Sequence, residues 1–481
     1  MLKKDVKYYL HSIIMLLIMF GFGYLPEIGS ITDIGMKVLG VFLGLVYGWM
    51  FVDMLWPSFM GLVALGTTGY VTVSDAFAQG FGNSTFLQIF FFFIIASYAT
   101  ESGLSEKVAI WFLTRRFIAG KPWVFVIMLF LAAYILGIFI MTYAIIFFFW
   151  AILGSICDIV GYERKHNTAA FLHVGVLQMA TLGGTVMPYQ VFPKVCLNAL
   201  NQATGLSIPS GKFIVYMIVI SFVALVLYII AGKILHVDVS KFKSLTTEQI
   251  TNGRSSKFEK AQIISGSIVV GFTIVILLPL ILPESFFLVR FYNLIGDFGC
   301  LIIAICIACA LRFNEKSVAD FATLEHKGVN WDLMALVAAT MPMGAALASE
   351  DTNIIGYIVE IISPLFYSMS PVVIIVFSLI LLGVTTQFAH NLILATTLIP
   401  LISSLVIEIG MAEQVALIIA AGGSQCLLAA LSTPAASNRG ALIYGYEWIG
   451  KREALKYGII VLMTVELSMI CVGIPLGFVM L

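Results

Sequence analysis

The chain has 481 residues, of which 60% are hydrophobic and only 11% are charged. About a quarter of the residues of a soluble protein are charged, so this composition excludes a soluble protein and predicts an all-α polytopic membrane protein. The net charge of zero says nothing about nucleic acid or acidic partners. For a membrane protein we expect the lipid bilayer, and no nucleic acid, as a partner.

The apolar runs predict about 11 transmembrane helices, since a helix needs ~20 apolar residues to cross a bilayer. One span is predicted to be broken near Gly183–Pro188 and another around Ser432–Asn438. The predicted spans other than the second broken one cover residues 10–26, 37–52, 55–72, 84–100, 167–200, 212–235, 262–282, 291–311, 331–349 and 455–480.

Two further apolar stretches, 122–160 and 371–408, are interrupted near their middles, at Phe139-Ile140-Met141-Thr142-Tyr143 and at Thr385-Thr386-Gln387-Phe388-Ala389-His390-Asn391-Leu392. Each flank is predicted to be about half the length of a spanning helix, so each stretch is predicted to form a re-entrant hairpin. Non-helical backbone at this depth is tolerated where protein buries it or where it lines a cavity. Broken elements of this kind hold the cargo in secondary transporters.

The same order of elements occurs twice. Pro122 and Pro371 open the two hairpins, and the separation between them also relates Glu101 to Glu350. We therefore predict an extra N-terminal transmembrane helix (1–36), a first repeat (37–235), a cytoplasmic linker (236–260) and a second repeat (261–481).

The lysines and arginines predict the orientation, because cytoplasmic loops collect these residues. A cytoplasmic N-terminus puts most of them on one side of a plasma membrane, provided that both hairpins are re-entrant and enter from opposite faces. This arrangement is the inverted repeat of a secondary transporter.

At these residues the chain resembles the divalent anion:sodium symporter (DASS) family of the ion transporter superfamily. The resemblance rests on Glu101-Ser102-Gly103-Leu104, on the two hairpins, and on the breaks at Gly183-Gly184-Thr185 and Thr433-Pro434. It implies a scaffold and a transport domain, a homodimer, and an elevator motion that carries a small anion.

The family has a Ser-Asn-Thr triplet at each hairpin tip, and this chain has Ile140-Met141-Thr142 and His390-Asn391-Leu392 instead. Its Thr-Pro-Pro-Asn motif corresponds to the segment from Thr433 to Asn438. The resemblance implies these substrate-binding residues: Thr142, His390, Asn391, Thr433, Pro434 and Thr185. It implies these ion-coupling residues: Gly183, Gly184, Asn391 and His390.

Each candidate also has a plainer interpretation. Thr142, Asn391 and Thr433 either contact the anion or satisfy broken backbone. His390 has three interpretations: a proton carrier, a neutral hydrogen-bond donor to the substrate, or a structural residue. The first follows from the unperturbed pKa of histidine, which is near 6.5. Arg439 fits an anion contact and a cytoplasmic anchor equally well.

We therefore predict a secondary active transporter of small organic anions such as di- or tricarboxylates, and not an enzyme. The alternatives are an ion channel and an intramembrane enzyme, although the chain has no H-E-x-x-H, G-x-S-x-G or Walker A motif. No cofactor is expected apart from a coupling sodium ion or proton. The loss of the tip asparagine at Met141 favours protons or exchange over sodium.

Overall fold

The structure is a computed structural model that describes residues 2–115, 118, 120–246, 258–313, 316–366, 369–434 and 436–481. Apart from one ladder of two-residue strands, Arg312–Phe313 and Lys316–Ser317, its regular structure is helical. The predicted all-α polytopic fold is confirmed.

The described helices before the predicted linker are α1 (Leu2–Gly21), α2 (Asp33–Phe51), α3 (Leu55–Leu65), α4 (Val73–Phe81), α5 (Ser84–Glu101), α6 (Leu104–Leu113), α7 (Pro122–Phe139), α8 (Thr142–Val160), α9 (Asn167–Gly183), α10 (Val191–Thr204) and α11 (Ser210–Ile234). Those after it are α12 (Lys260–Ile281), α13 (Phe287–Ala310), α14 (Phe321–Gly328), α15 (Trp331–Ala348), α16 (Ile354–Phe366), α17 (Pro371–Thr385), α18 (Asn391–Glu408), α19 (Glu413–Leu428), α20 (Asn438–Gly445), α21 (Lys451–Ser468) and α22 (Ile474–Met480). A π-helical turn, Met469–Gly473, joins α21 and α22.

Among the described helices, 11 are long and apolar enough to cross a membrane. This number agrees with the prediction, but three of the 11 are hairpin arms: α7, α8 and α18. The expectation of half-length arms is therefore wrong, because the four arms have 18, 19, 15 and 18 residues. At 1.5 Å per residue, an 18-residue arm extends about 27 Å.

Two other boundaries also differ from the prediction, and one apolar helix was not predicted. The span predicted at 55–72 ends as a helix at Leu65, and α16 was not predicted. Helix α2 begins at Asp33, so the division at 36/37 falls inside a helix. Residues 247–257 of the predicted linker lie outside the described residues, and the division into two repeats stays a prediction.

The two hairpins are confirmed as helix pairs with extended junctions. Backbone in the extended conformation at Ile140 and Met141 separates α7 from α8. A turn followed by extended His390 separates α17 from α18. Prolines at the first position of α7 and of α17 begin each hairpin, where a missing N–H costs no helical hydrogen bond.

Each hairpin packs against the helix that follows it: α7 and α8 contact α9, and α17 and α18 contact α19. These two helices are the most enclosed elements of the fold. Every residue of α9 from Thr168 to Gly183 is buried, as is every residue of α19 from Val415 to Leu428. Helices that are apolar on all sides are expected in such positions. The two helices lead directly into the breaks, which are thereby placed at the centre of the protein.

Candidate functional site

A cavity of about 250 Å³ lies where the two hairpin tips meet the two breaks. Four helices have their first residue in its lining: α8 at Thr142, α10 at Val191, α18 at Asn391 and α20 at Asn438. A fifth helix, α15, begins beside the cavity and contributes Asp332 to the lining. The first N–H groups of a helix have no intrahelical acceptor, and the aligned peptide dipoles place about half a positive charge there. Four N-termini around one cavity form a site suited to an anion.

The polar side chains of both tips are available to a ligand. Within the described part of the chain, neither the Thr142 hydroxyl nor the Asn391 amide forms a hydrogen bond, and both residues line the cavity. Gly184 also lines it, and a Cβ atom built at Gly184 would lie 3.4 Å from Thr142 Oγ1. The structure thus brings these three predicted residues together at one cavity, and their role as ligand contacts stays a prediction.

Arg439 supplies a full positive charge at the same wall. It is only 7% exposed, and its Nη1 donates a hydrogen bond to Thr181 Oγ1 at 2.9 Å. No acidic side chain of the described residues forms an ion pair with it. The acidic residue of the cavity lining, Asp332, is exposed at the start of α15. Burial argues against the cytoplasmic-anchor interpretation, because an anchoring arginine reaches solvent, and a buried charge without an acidic partner is costly.

His390 lines the cavity and caps α18. Its Nδ1 accepts a hydrogen bond from the Leu392 N–H at 3.4 Å. An accepting Nδ1 leaves the proton of the neutral ring on Nε2, which can donate to a ligand. The geometry therefore favours the neutral donor among the three interpretations of His390.

Four predicted residues are not in the cavity lining. The Thr185 hydroxyl is fully buried and donates to Leu182 O at 2.7 Å, and the Thr433 hydroxyl donates to Gln387 O. Pro434 is exposed beside Thr433. Gly183 faces α7, where a Cβ atom would lie 2.1 Å from Tyr134 O. The two threonines thus donate hydrogen bonds to backbone carbonyl groups at the breaks, and Gly183 allows close packing against α7.

Two glutamines that the sequence analysis did not select fasten each hairpin to its break. Gln190 Nε2 donates to Gly137 O at 2.9 Å and to Ile138 O at 3.0 Å. Gln387 Nε2 donates to Gly383 O at 2.9 Å and to Ala429 O at 3.1 Å. The Ser432 N–H in turn donates to Gln387 Oε1 at 2.9 Å. The only sequence signal for either residue is a long amide at the edge of an apolar run.

The fold is that of a multi-pass membrane protein with a central cavity lined by helix N-termini and Arg439. The chain belongs to the citrate transporter family, because the family model described as "CitMHS: Citrate transporter" matches residues 42–422. The protein is therefore a secondary transporter and not an enzyme.

Among solved structures, the chain is similar to the YdaH transporter of Alcanivorax borkumensis, described as having an unusual topology. The TM-score is 0.54 with 10% sequence identity, over 98% of this chain and 97% of that one. At this identity the similarity shows the fold alone. No curated protein matches the chain. The narrower resemblance to the DASS family stays a prediction.

Proposed function

We propose that the protein carries small di- or tricarboxylates, with citrate as the first candidate, across the plasma membrane by alternating access. The observation that carries the proposal is the convergence of four helix N-termini and the unpaired Arg439 on one cavity. The family membership supports citrate as the first cargo to test.

The chemistry of the cavity fits a small carboxylate. A multiply charged anion must exchange its water for donors that are already oriented, and the helix N-termini offer backbone N–H groups at no further cost in ordering. Arg439 can hold one carboxylate through two parallel hydrogen bonds. The volume of about 250 Å³ is slightly below the ~300–1,000 Å³ of most ligand pockets. This favours a small anion over a nucleotide-sized one.

The two glutamine contacts support an elevator motion. Because Gln190 and Gln387 bind each hairpin to its own break, the tips and the breaks move as one body with the anion between them. The remaining spans form the scaffold of a homodimer, with the N-terminus cytoplasmic. Coupling uses protons or exchange rather than sodium, since Met141 occupies the position of the first tip asparagine.

Counterflow in proteoliposomes tests the proposal. Vesicles loaded with unlabelled citrate should accumulate labelled citrate from outside, saturably and with competition by other tricarboxylates. Parallel arms impose a sodium gradient or a pH gradient on the same vesicles. A channel would equilibrate the label without accumulation, and an intramembrane enzyme would convert it without uptake. Accumulation that followed sodium and ignored pH would overturn the coupling assignment alone.

A further inference from the structure

Glu466 lies near the midpoint of the last span, which runs for 30 residues from Lys451 to Met480. At 1.5 Å per residue it is about 22 Å from either end of the helix. The other charged residues of the span lie in its first two turns, between Lys451 and Lys456. The carboxyl group is therefore at the depth of the hydrocarbon core, where ionisable side chains are rare and mark functional pathways.

The carboxyl group is enclosed. Both oxygens are buried, and within the described residues no N–H or O–H group donates a hydrogen bond to them. They occupy a notch in α17, since a Cβ atom built at Gly383 would lie 2.0 Å from Glu466 Oε1. The thiol of Cys426 on α19 lies beside them and is at most a weak donor.

No cation faces the carboxyl group from the described parts of the neighbouring helices. Helix α17 has no titratable side chain. On α11, the Tyr216 hydroxyl donates to Gly473 O at 3.0 Å. On α9, His173 Nδ1 bonds to Ala169 O at 2.7 Å, and on α20, Arg439 bonds to Thr181. A carboxylate in such a place has no compensating charge, so the carboxyl group takes up a proton here.

The notch is connected to the anion site through a short chain of bonds. The carbonyl of Gly383, where the carboxyl group rests, accepts one of the hydrogen bonds of Gln387. Gln387 in turn holds the second break at Ala429 and Ser432. Immediately after Glu466 the helix widens into the π-helical turn Met469–Gly473, a feature that recurs at functional sites. A charged carboxylate would need water, which the packing of α17 and α19 around the carboxyl group keeps out.

We propose that Glu466 is the proton-binding group of the transport cycle. It takes a proton from water on one side of the membrane, travels as the neutral acid packed against α17, and releases the proton on the other side. No other bond forms or breaks. The inference rests on the proposed function, since it names the coupling ion and its residue for the same transporter.

The test measures proton movement and anion exchange separately in the same vesicles. Wild-type protein should move protons with citrate, seen with a trapped pH-sensitive dye, and should accumulate citrate about tenfold per unit of pH difference for one coupled proton. Glu466→Gln should lose both responses and keep citrate counterflow within about threefold. Glu413→Gln, which changes an exposed acid at the start of α19, is the matched control and should behave as wild type.

The outcomes are distinguishable. Absence of counterflow in the wild type would contradict the proposed function. Counterflow without proton movement in the wild type, or proton movement that survives in Glu466→Gln, would overturn this inference alone. If Glu466→Gln also loses counterflow, the variant Glu466→Asp decides whether the carboxyl group binds the proton. Because this variant keeps a carboxyl group, it must restore both citrate exchange and proton movement, and the pH dependence of transport must be displaced. Failure of that restoration would also overturn the assignment.

Discussion

Replacing Arg439 with glutamine should weaken anion binding without weakening the fold. In the ligand-free protein, the described contacts of Arg439 include one hydrogen bond, to Thr181, and no ion pair. Removing an unpaired buried charge relieves a desolvation cost, so the Tm of the ligand-free variant should equal or exceed that of the wild type. With the anion bound, the variant lacks the charge and one of the two parallel hydrogen bonds.

The expected loss follows from the energy of hydrogen bonds to charged groups, about 1.5–3 kcal/mol each. A loss of about 3 kcal/mol weakens binding roughly 100-fold. At a citrate concentration 100 times the wild-type Kd, the ligand stabilises the wild type by about 2.7 kcal/mol and the variant by only about 0.4 kcal/mol. The stabilisation by citrate in a thermal-unfolding assay should therefore nearly disappear.

The assay compares unfolding of the purified protein with and without citrate at constant ionic strength. The control is Arg164→Gln, because Arg164 is exposed and pairs with the equally exposed Glu447 at 3.3 Å. Its citrate response should match that of the wild type. A full citrate response in Arg439→Gln would refute the assignment of the anion site. A ligand-free Tm several degrees lower would show that Arg439 is a structural residue.

Three further substitutions test the architecture around the cavity. Gly183→Ala should destabilise the fold by about 1–3 kcal/mol through overpacking, whereas Gly184→Ala, which faces the cavity, should mainly weaken citrate binding; equal effects on unfolding would contradict this distinction. Gln387→Leu should lower the free energy of unfolding by about 3 kcal/mol, because it leaves buried backbone groups without hydrogen bonds. Gln425→Leu should be neutral or stabilising, since the buried Gln425 amide has no partner among the described residues. Equal free energies of unfolding from the denaturation curves of the two variants would contradict this. His390→Asn keeps a good helix cap and should change stability by less than about 0.5 kcal/mol, but should weaken citrate binding and leave proton movement intact; loss of proton movement would reassign the proton carrier to His390.

The placement of the hairpins and breaks could be read from the sequence because their causes are local. A proline at the first turn begins a helix, and a polar interruption in an apolar run ends one. In lipid, such an interruption must also be buried or line a cavity, since its backbone groups find no water there. These rules placed Thr142, His390 and Asn391 at the hairpin junctions, and the structure brings all three into the lining of one cavity. They did not give the lengths of the arms, because an apolar run of 15–19 residues is compatible with a spanning helix and with a hairpin arm.

The roles of single side chains at the site depended on the tertiary structure. Gly183 and Gly184 are adjacent in sequence, yet one packs against α7 and the other faces the cavity, because a helix turns by about 100° per residue. In the sequence, Arg439 is compatible with a surface anchor. In the structure, the packing of α20 against α9 encloses its side chain.

The sequence by itself thus determined the membrane environment and the two broken hairpins, because composition and local backbone chemistry dictate these. The tertiary structure alone decided which charges are buried, which glutamines hold the breaks and where Glu466 rests, since each of these depends on helices that are far apart in the chain.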